Sequence, residues 1–177
     1  MNLTIGQKAP DFNLPGVDGK NHRLADYKGK PLVVIFSCNH CPYVIAYEDR
    51  MVELAKEYMA KGVGFVVISA NDVVNYPQDS FENMKKRAQQ KDFPFPYLYN
   101  EDQSVAHAYG AQVTPHVFLF DDKGILCYIG AIDDSYNDET KVRVHYLRNA
   151  LDAVLSGETD SISPSETKPV GCSVKWK

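Results

Sequence analysis

The sequence predicts an α/β fold, a central mixed sheet with helices on both faces, and three observations predict it. Two largely apolar runs, Leu32-Val33-Val34-Ile35-Phe36 and Val63 to Ser69, read as buried strands. Apolar residues between and after them recur at helical spacing, so strands and helices alternate along the chain. At 177 residues, 44% of them hydrophobic, the chain can bury one sizeable core and is too short for two full domains.

The elements follow in order. Residues 1–30 are an N-terminal extension in which turn formers (Pro10-Asp11, Leu14-Pro15-Gly16, Asp18-Gly19-Lys20) separate short apolar pieces, predicting an extended leader with a hairpin. A strand at 31–37 precedes a helix at 42–60, whose apolar face carries Ile45, Val52, Ala55 and Met59. The strand from Val63 to Ser69 ends at Ala70-Asn71-Asp72. Ser80 then caps a helix with Phe81 and Met84 on one side, and Phe93-Pro94-Phe95-Pro96 stops it. A short strand at Tyr97 to Tyr99 and a short helix at 102–109, ended by Gly110, lead to a hairpin of Val117 to Phe120 and Ile125 to Gly130. The last helix, 139–156, places Val144, Leu147, Leu151, Val154 and Leu155 on one face. Residues 1–156 thus make the domain and 157–177 a linker and C-terminal tail.

Charge excludes some functions. A net charge of −4 and no basic cluster longer than Lys85-Lys86-Arg87, read as a solvated helix face, argue against a nucleic-acid partner. Met1 to Gly6 shows no signal-peptide pattern, and no run approaches the roughly twenty apolar residues that span a bilayer, so no membrane partner and a cytoplasmic location are expected. Four cysteines in a reducing compartment are then thiols, metal ligands or a catalytic pair rather than a structural framework.

The chemistry centres on Cys38-Asn39-His40-Cys41, directly behind the first buried strand. With Pro42 in the first helical turn, Cys38 is expected at the helix N-terminus and Cys41 one turn in. Unpaired N–H groups and the helix dipole would lower the Cys38 pKa, making it the nucleophile and Cys41 the resolving thiol. His40 as an imidazolium would stabilise that thiolate further; its plainer reading is a solvated residue at the helix start. A C-x-x-C pair is also half a zinc site, but no second Cys/His pair at short spacing completes one. A mononuclear site drawing on Cys38, Cys41, His40 or His116 is the competing metal reading. Tyr43, next to Pro42, is placed to shield the thiols from water, whereas most other aromatics, from Tyr47 to Tyr99, read as core.

Thr114-Pro115 opens the hairpin's first strand, where a proline costs no ladder bond. Frequency alone makes its peptide bond trans. Cys127 reads as an inert core thiol. The Ser/Thr/Pro/Glu-rich stretch 156–169 has too little apolar content to pack by itself, but Val170 to Trp176 alternates apolar and polar and holds the single Trp. That segment reads either as a frayed end or as one that docks back, in which case Cys172 becomes a third redox thiol.

The order strand, C-x-x-C, helix, strand, helix, Thr-Pro, hairpin, helix resembles the thioredoxin fold. Ile5-Gly6-Gln7-Lys8-Ala9-Pro10-Asp11-Phe12-Asn13-Leu14, with Gly29-Lys30-Pro31, is similar to the start of the AhpC/TSA and TlpA-like redoxins. The resemblance spans residues 3–156. It implies that Pro115 is the cis-proline abutting the active disulfide and that Thr114 offers backbone hydrogen bonds to a docked substrate. It also implies a thiol–disulfide oxidoreductase without bound cofactor, working on protein or small-molecule thiols and disulfides with a dithiol donor. Cys-Asn-His-Cys is similar to the Cys-x-His-Cys centres of disulfide isomerases and thiol oxidases; because a stabilised thiolate stabilises the reduced form, the pair itself is expected at a potential on the order of −180 to −230 mV, above the roughly −270 mV of thioredoxin.

Departures are specific. The Trp-Ala-x-Trp that precedes the motif in the family is absent, and so is the buried acid of the preceding strand, which leaves Asp72 as a candidate proton acceptor against its plainer reading as a turn former. The peroxiredoxin pattern Pro-x-x-x-Thr-x-x-Cys keeps Pro31 if Cys38 is peroxidatic but puts Ile35 at the threonine; with Cys41, Val34 and Cys38 fall at those places. A peroxiredoxin-like thiol peroxidase is therefore the alternative enzyme, and a metal-binding or redox-sensing module the alternative to an enzyme.

Overall fold

The computed structural model describes residues 2–177. The leader forms the expected hairpin, β1 (Asn13–Pro15) against β2 (Asn21–Arg23). The apolar runs become β3 (Leu32–Ser37) and β4 (Gly64–Ser69), buried at every residue and paired in parallel, with α1 (Pro42–Met59) crossing between them. There follow α2 (Phe81–Lys91), β5 (Tyr97–Tyr99), α3 (Ser104–Tyr109), β6 (Val113–Thr114), β7 (His116–Phe120), β8 (Leu126–Gly130), α4 (Tyr146–Leu155) and β9 (Cys172–Ser173). The five-stranded sheet runs β5-β4-β3-β7-β8. β3, β4 and β5 are parallel; β7 and β8 are antiparallel to their neighbours. This is the mixed, thioredoxin-like sheet that the resemblance implies.

Because strand side chains alternate, one sheet builds two cores. Val33, Ile35, Phe65 and Val67 point to the side covered by α1, α2 and α4 through Tyr47, Met51, Met84, Leu147 and Leu151. Val34, Phe36, Val66 and Ile68 point to the other side, where α3 brings Val105, Ala106 and Tyr109, the leader brings Phe12 and Leu14, and the tail brings Val174. Among the described residues no helix is long and apolar enough to cross a membrane.

Four expectations are corrected. The helix at 139–156 is a single turn at Glu139–Lys141 followed, after an extended link, by α4. The break is held by the Arg143 N–H donating to the Asp134 carboxylate at 2.9 Å, which takes residue 143 out of helical pairing. In consequence Val144 is only half-buried and Leu155 exposed. On α1, Ile45 faces solvent while Val44 is fully buried, because the face turned to the sheet runs Val44-Tyr47-Met51-Leu54-Tyr58. Arg87 is no solvated cation: its Nε donates to buried Glu48 on α1 at 2.9 Å, tying α2 down. Finally, the stretch 156–169 is no free linker: it is fastened to the sheet although most of its residues stay exposed. Its backbone pairs with the free edge of β8, Ile129 N–H donating to Ser165 and Thr167 N–H to Ile129, both at 3.0 Å. Gly130 makes that approach feasible, since a Cβ there would sit 2.1 Å from Thr167 Oγ1.

Candidate active site

β3 delivers Cys38 and α1 begins at Pro42, so the thiol at the helix mouth is Cys41, the N-cap residue. This corrects the expected placement of Cys38 at the mouth and Cys41 one turn inside. The reason is the bend Asn39-His40, which is fixed by other elements and does not enter the helix. Asn39 N–H donates to Asp79 at 2.8 Å, Asn39 Nδ2 donates to the Gln78 carbonyl at 2.9 Å, and Tyr97 Oη donates to Asn39 Oδ1 at 2.8 Å.

Both thiols are inaccessible, Cys38 at 2% and Cys41 at 0% exposure, and all four cysteines are free. They converge on Thr114, whose Oγ1 lies 3.6 Å from Cys38 Sγ and whose carbonyl lies 3.5 Å from Cys41 Sγ. The Thr114–Pro115 bond is cis, as the resemblance implies and against the frequency expectation. Cys172 joins them: β9 pairs antiparallel with β6, Cys172 opposite Thr114, and its side chain packs against Cys38, Cys41 and Val44. Hence β6's backbone edge, expected to receive substrate, holds the chain's own tail.

The pair is electrostatically split. Cys41 is lowered, first by a hydrogen bond from the Cys38 thiol and further by the Cys172 thiol and the backbone N–H groups of Val44 and Cys172, which together outweigh burial. Cys38 is raised, first by donating that hydrogen bond, then by burial and the Asp79 carboxylate. Of the two thiols Cys41 is thus the one whose environment favours ionisation, at the end of α1 where the unpaired N–H groups are. Cys172 is raised too, by burial and by its bond to Cys41.

Asp79 is the acid that sequence reasoning missed. It is fully buried at the end of a single turn, Pro77–Asp79, and accepts from Asn71 Nδ2 at 2.9 Å as well as from Asn39. His40 Nδ1 sits 2.7 Å from Oδ2, the oxygen that also accepts from Asn71, and the imidazole stacks on Tyr76. Locally Asp79 reads as part of a turn before the Ser80 cap; only the fold carries it to the thiols. Asp72, the candidate from sequence, accepts from Val74 N–H and Asn75 Nδ2, the turn former of its plainer reading. Cys38, His40 and Asp79 each offer a ligand atom within 4.8 Å of the others, a three-ligand set suited to a cation. His116 stands outside that set. It is 3% exposed, burial takes its pKa down to about 4, and its Nδ1 accepts from Gln112 N–H. Tyr43 lies beside the thiols, packed at 4.4 Å against Tyr136, whose loop is held by Arg50 ion-paired to buried Asp133 at 2.7 Å.

A model of the AhpC/TSA family matches residues 5–129. The thiol-disulfide oxidoreductase ResA of Geobacillus thermodenitrificans is 31% identical over 125 residues, covering 69% of this chain and 66% of ResA. The chain thus spans just under two thirds of that relative's length. A Mycobacterium tuberculosis protein provisionally named a peroxiredoxin is 29% identical over 156 residues, 84% of this chain and 95% of that protein. The crystal structure of an uncharacterized conserved protein from Geobacillus kaustophilus is similar with a TM-score of 0.92 and 45% identity, covering 98% of this chain and 93% of that one.

Proposed function

The chain belongs to the AhpC/TSA family, and from that premise we propose that it is a thiol–disulfide oxidoreductase in which Cys41 is the nucleophile and Cys38 closes the C-x-x-C disulfide. The single observation that carries this reading is Cys41 at the helix mouth, surrounded by hydrogen-bond donors. In the reductive direction the Cys41 thiolate attacks a client disulfide, forming a mixed disulfide and expelling one client thiolate, which takes up a proton. A neighbouring thiol of the protein then gives up its proton, attacks the Cys41 sulfur and releases the second client thiol. Cys38 can do this because it touches Cys41, and the Asp79 carboxylate beside it can take its proton. His40 orients Asp79 and tunes Cys38. Thr114, Pro115 and Tyr43 shape the place where the client sits. An external dithiol resets the enzyme, and a reducing compartment such as the cytoplasm suits that cycle.

The test is turnover of a small disulfide, with hydrogen peroxide consumption measured in parallel, by the full chain and its Cys41→Ser variant. Disulfide turnover should vanish in the variant. Peroxide turnover without disulfide turnover would replace this reading with the thiol peroxidase, which the name of the mycobacterial relative favours. Stoichiometric zinc or copper held by Cys38, His40 and Asp79 would favour the metal-binding module instead.

A further inference from the structure

The C-terminal strap lies where an incoming extended chain would pair. β6 has one free backbone edge beside the thiols, and β9 fills it antiparallel, Val113 opposite Ser173 and Thr114 opposite Cys172. A cysteine is thereby set against Cys41 in the register that an added strand would take. The fit is close. A Cβ on Gly171 would lie 2.1 Å from the Thr114 carbonyl oxygen, so only glycine lets the strap reach the edge. The strap is also tied on both sides of Cys172. Before it, Thr167 is bonded to β8. After it, Val174 is 4% exposed, the Lys175 N–H donates to Asn71 Oδ1 at 2.9 Å, and the Lys175 carbonyl accepts from Asp72 N–H at 2.7 Å and Gln103 Nε2 at 2.9 Å. Between these ties residues 168–173 are half-buried or exposed, held to β6 by a two-residue ladder. Such a segment opens locally at low cost.

We propose that this strap is a built-in substrate mimic and that Cys172 is the thiol that first resolves the mixed disulfide on Cys41. The proposal rests on the reading of Cys41 as nucleophile. The strap lifts, an extended client disulfide adds to β6, and Cys41 attacks it, so that one S–S bond forms, the client's breaks, and one client thiolate leaves. The strap then returns in register. Cys172 passes its proton to the departing client sulfur as its own sulfur bonds to Cys41, and the second client thiol is released. Two electrons have moved from the Cys41/Cys172 pair to the client. Cys38 attack on Cys41 frees Cys172, and an external dithiol reduces the Cys38–Cys41 disulfide. While docked, the strap keeps both inner thiols covered.

The test uses oxidised glutathione on the full chain, followed by alkylation and peptide mapping. Wild type is expected to pass through a Cys41–Cys172 cross-link and end as Cys38–Cys41, the cross-link should be trapped in Cys38→Ser, where no second attack can release Cys172, and the glutathione adduct on Cys41 should accumulate on the order of tenfold in Cys172→Ser. Gly171→Ala keeps every cysteine but pushes the strap off β6, so Cys41 alkylation should quicken on the order of tenfold with the far-ultraviolet circular dichroism unchanged. Cys172 fully alkylated in Cys38→Ser while Cys41 stays joined to glutathione, or Gly171→Ala alkylating at the wild-type rate, overturns the inference and leaves the catalytic reading standing. Full disulfide turnover by Cys41→Ser instead overturns the reading beneath it, and the inference with it.

Discussion

Cys41 and Cys127 are almost equally hidden, at 0% and 5% exposure, yet the fold gives them opposite chemistry. Cys127 lies on β8, where its thiol donates to the Leu119 carbonyl at 3.3 Å and burial pushes its pKa up to about 12. Burial favours its neutral form, and among the described residues no thiol or helix terminus donates to the sulfur. Cys41 also has a carbonyl beside it, that of Thr114 at 3.5 Å, but at the helix mouth two thiols and the backbone N–H groups of Val44 and Cys172 donate to it, and its pKa is lowered in spite of burial. Burial alone therefore does not decide whether a thiol reacts. The donors around it weigh as much.

The largest expected effect breaks the comparison at its reactive end. Cys41→Ser should lower disulfide turnover by at least about a hundredfold, because a serine hydroxyl is scarcely ionised near neutral pH. Cys127→Ala should leave turnover within about twofold of wild type, since nothing at the helix mouth touches it. Steady-state rates of both variants check this, and equal losses would mean that Cys127 takes part.

A smaller change sharpens the contrast without touching sulfur. The Asp79 carboxylate is one cause of the raised Cys38 pKa, so Asp79→Asn should lower it. The limb of the kcat–pH profile that reports Cys38 should move to lower pH, with a rate change on the order of tenfold. Asparagine keeps an acceptor for Asn39 N–H, so the bend survives, and a profile that does not move removes Asp79 from the chemistry.

The difference between the two cysteines also explains what could be read from the sequence. Cys127 was legible because its setting is local: an apolar strand, Ile125 to Ile129, needs no partner to suggest burial. The strands, the Ser80 cap and the hairpins follow from the same short-range patterns. At the helix mouth, C-x-x-C and Thr114-Pro115 were legible as motifs, whereas which of the two cysteines caps the helix was not. It depends on Asp79 and Tyr97 pinning Asn39 from 40 and 58 residues away. Cys172 is similar. Its alternating surroundings hinted at docking, but the pairing with Thr114 is a register that no local periodicity encodes. The stretch 156–169 misled because it is fastened by backbone bonds to β8, to which composition is blind.

The smallest effect tests the inert end by stability. Cys127→Ala removes a buried sulfur and should cost about 1–2 kcal/mol near pH 7, the usual range for a small cavity that partly relaxes. The pH dependence carries the argument. Folding raises the Cys127 pKa from 9.0 to about 12, so its contribution is fully present below pH 9 and is lost as pH rises toward 12. Wild type should therefore lose stability across that window faster than Cys127→Ala, which has no thiol to ionise, and by pH 11, two pH units above 9.0 at about 1.36 kcal/mol each, the gap between them should close and reverse. Denaturant titrations at pH 7, 9 and 11 measure it. Buried tyrosines such as Tyr109 and Tyr128, whose pKa values burial also raises, destabilise both proteins alike and cancel in the difference. A gap that stays constant with pH would mean that Cys127 ionises as readily folded as unfolded, and the contrast with Cys41 would then rest on donors alone.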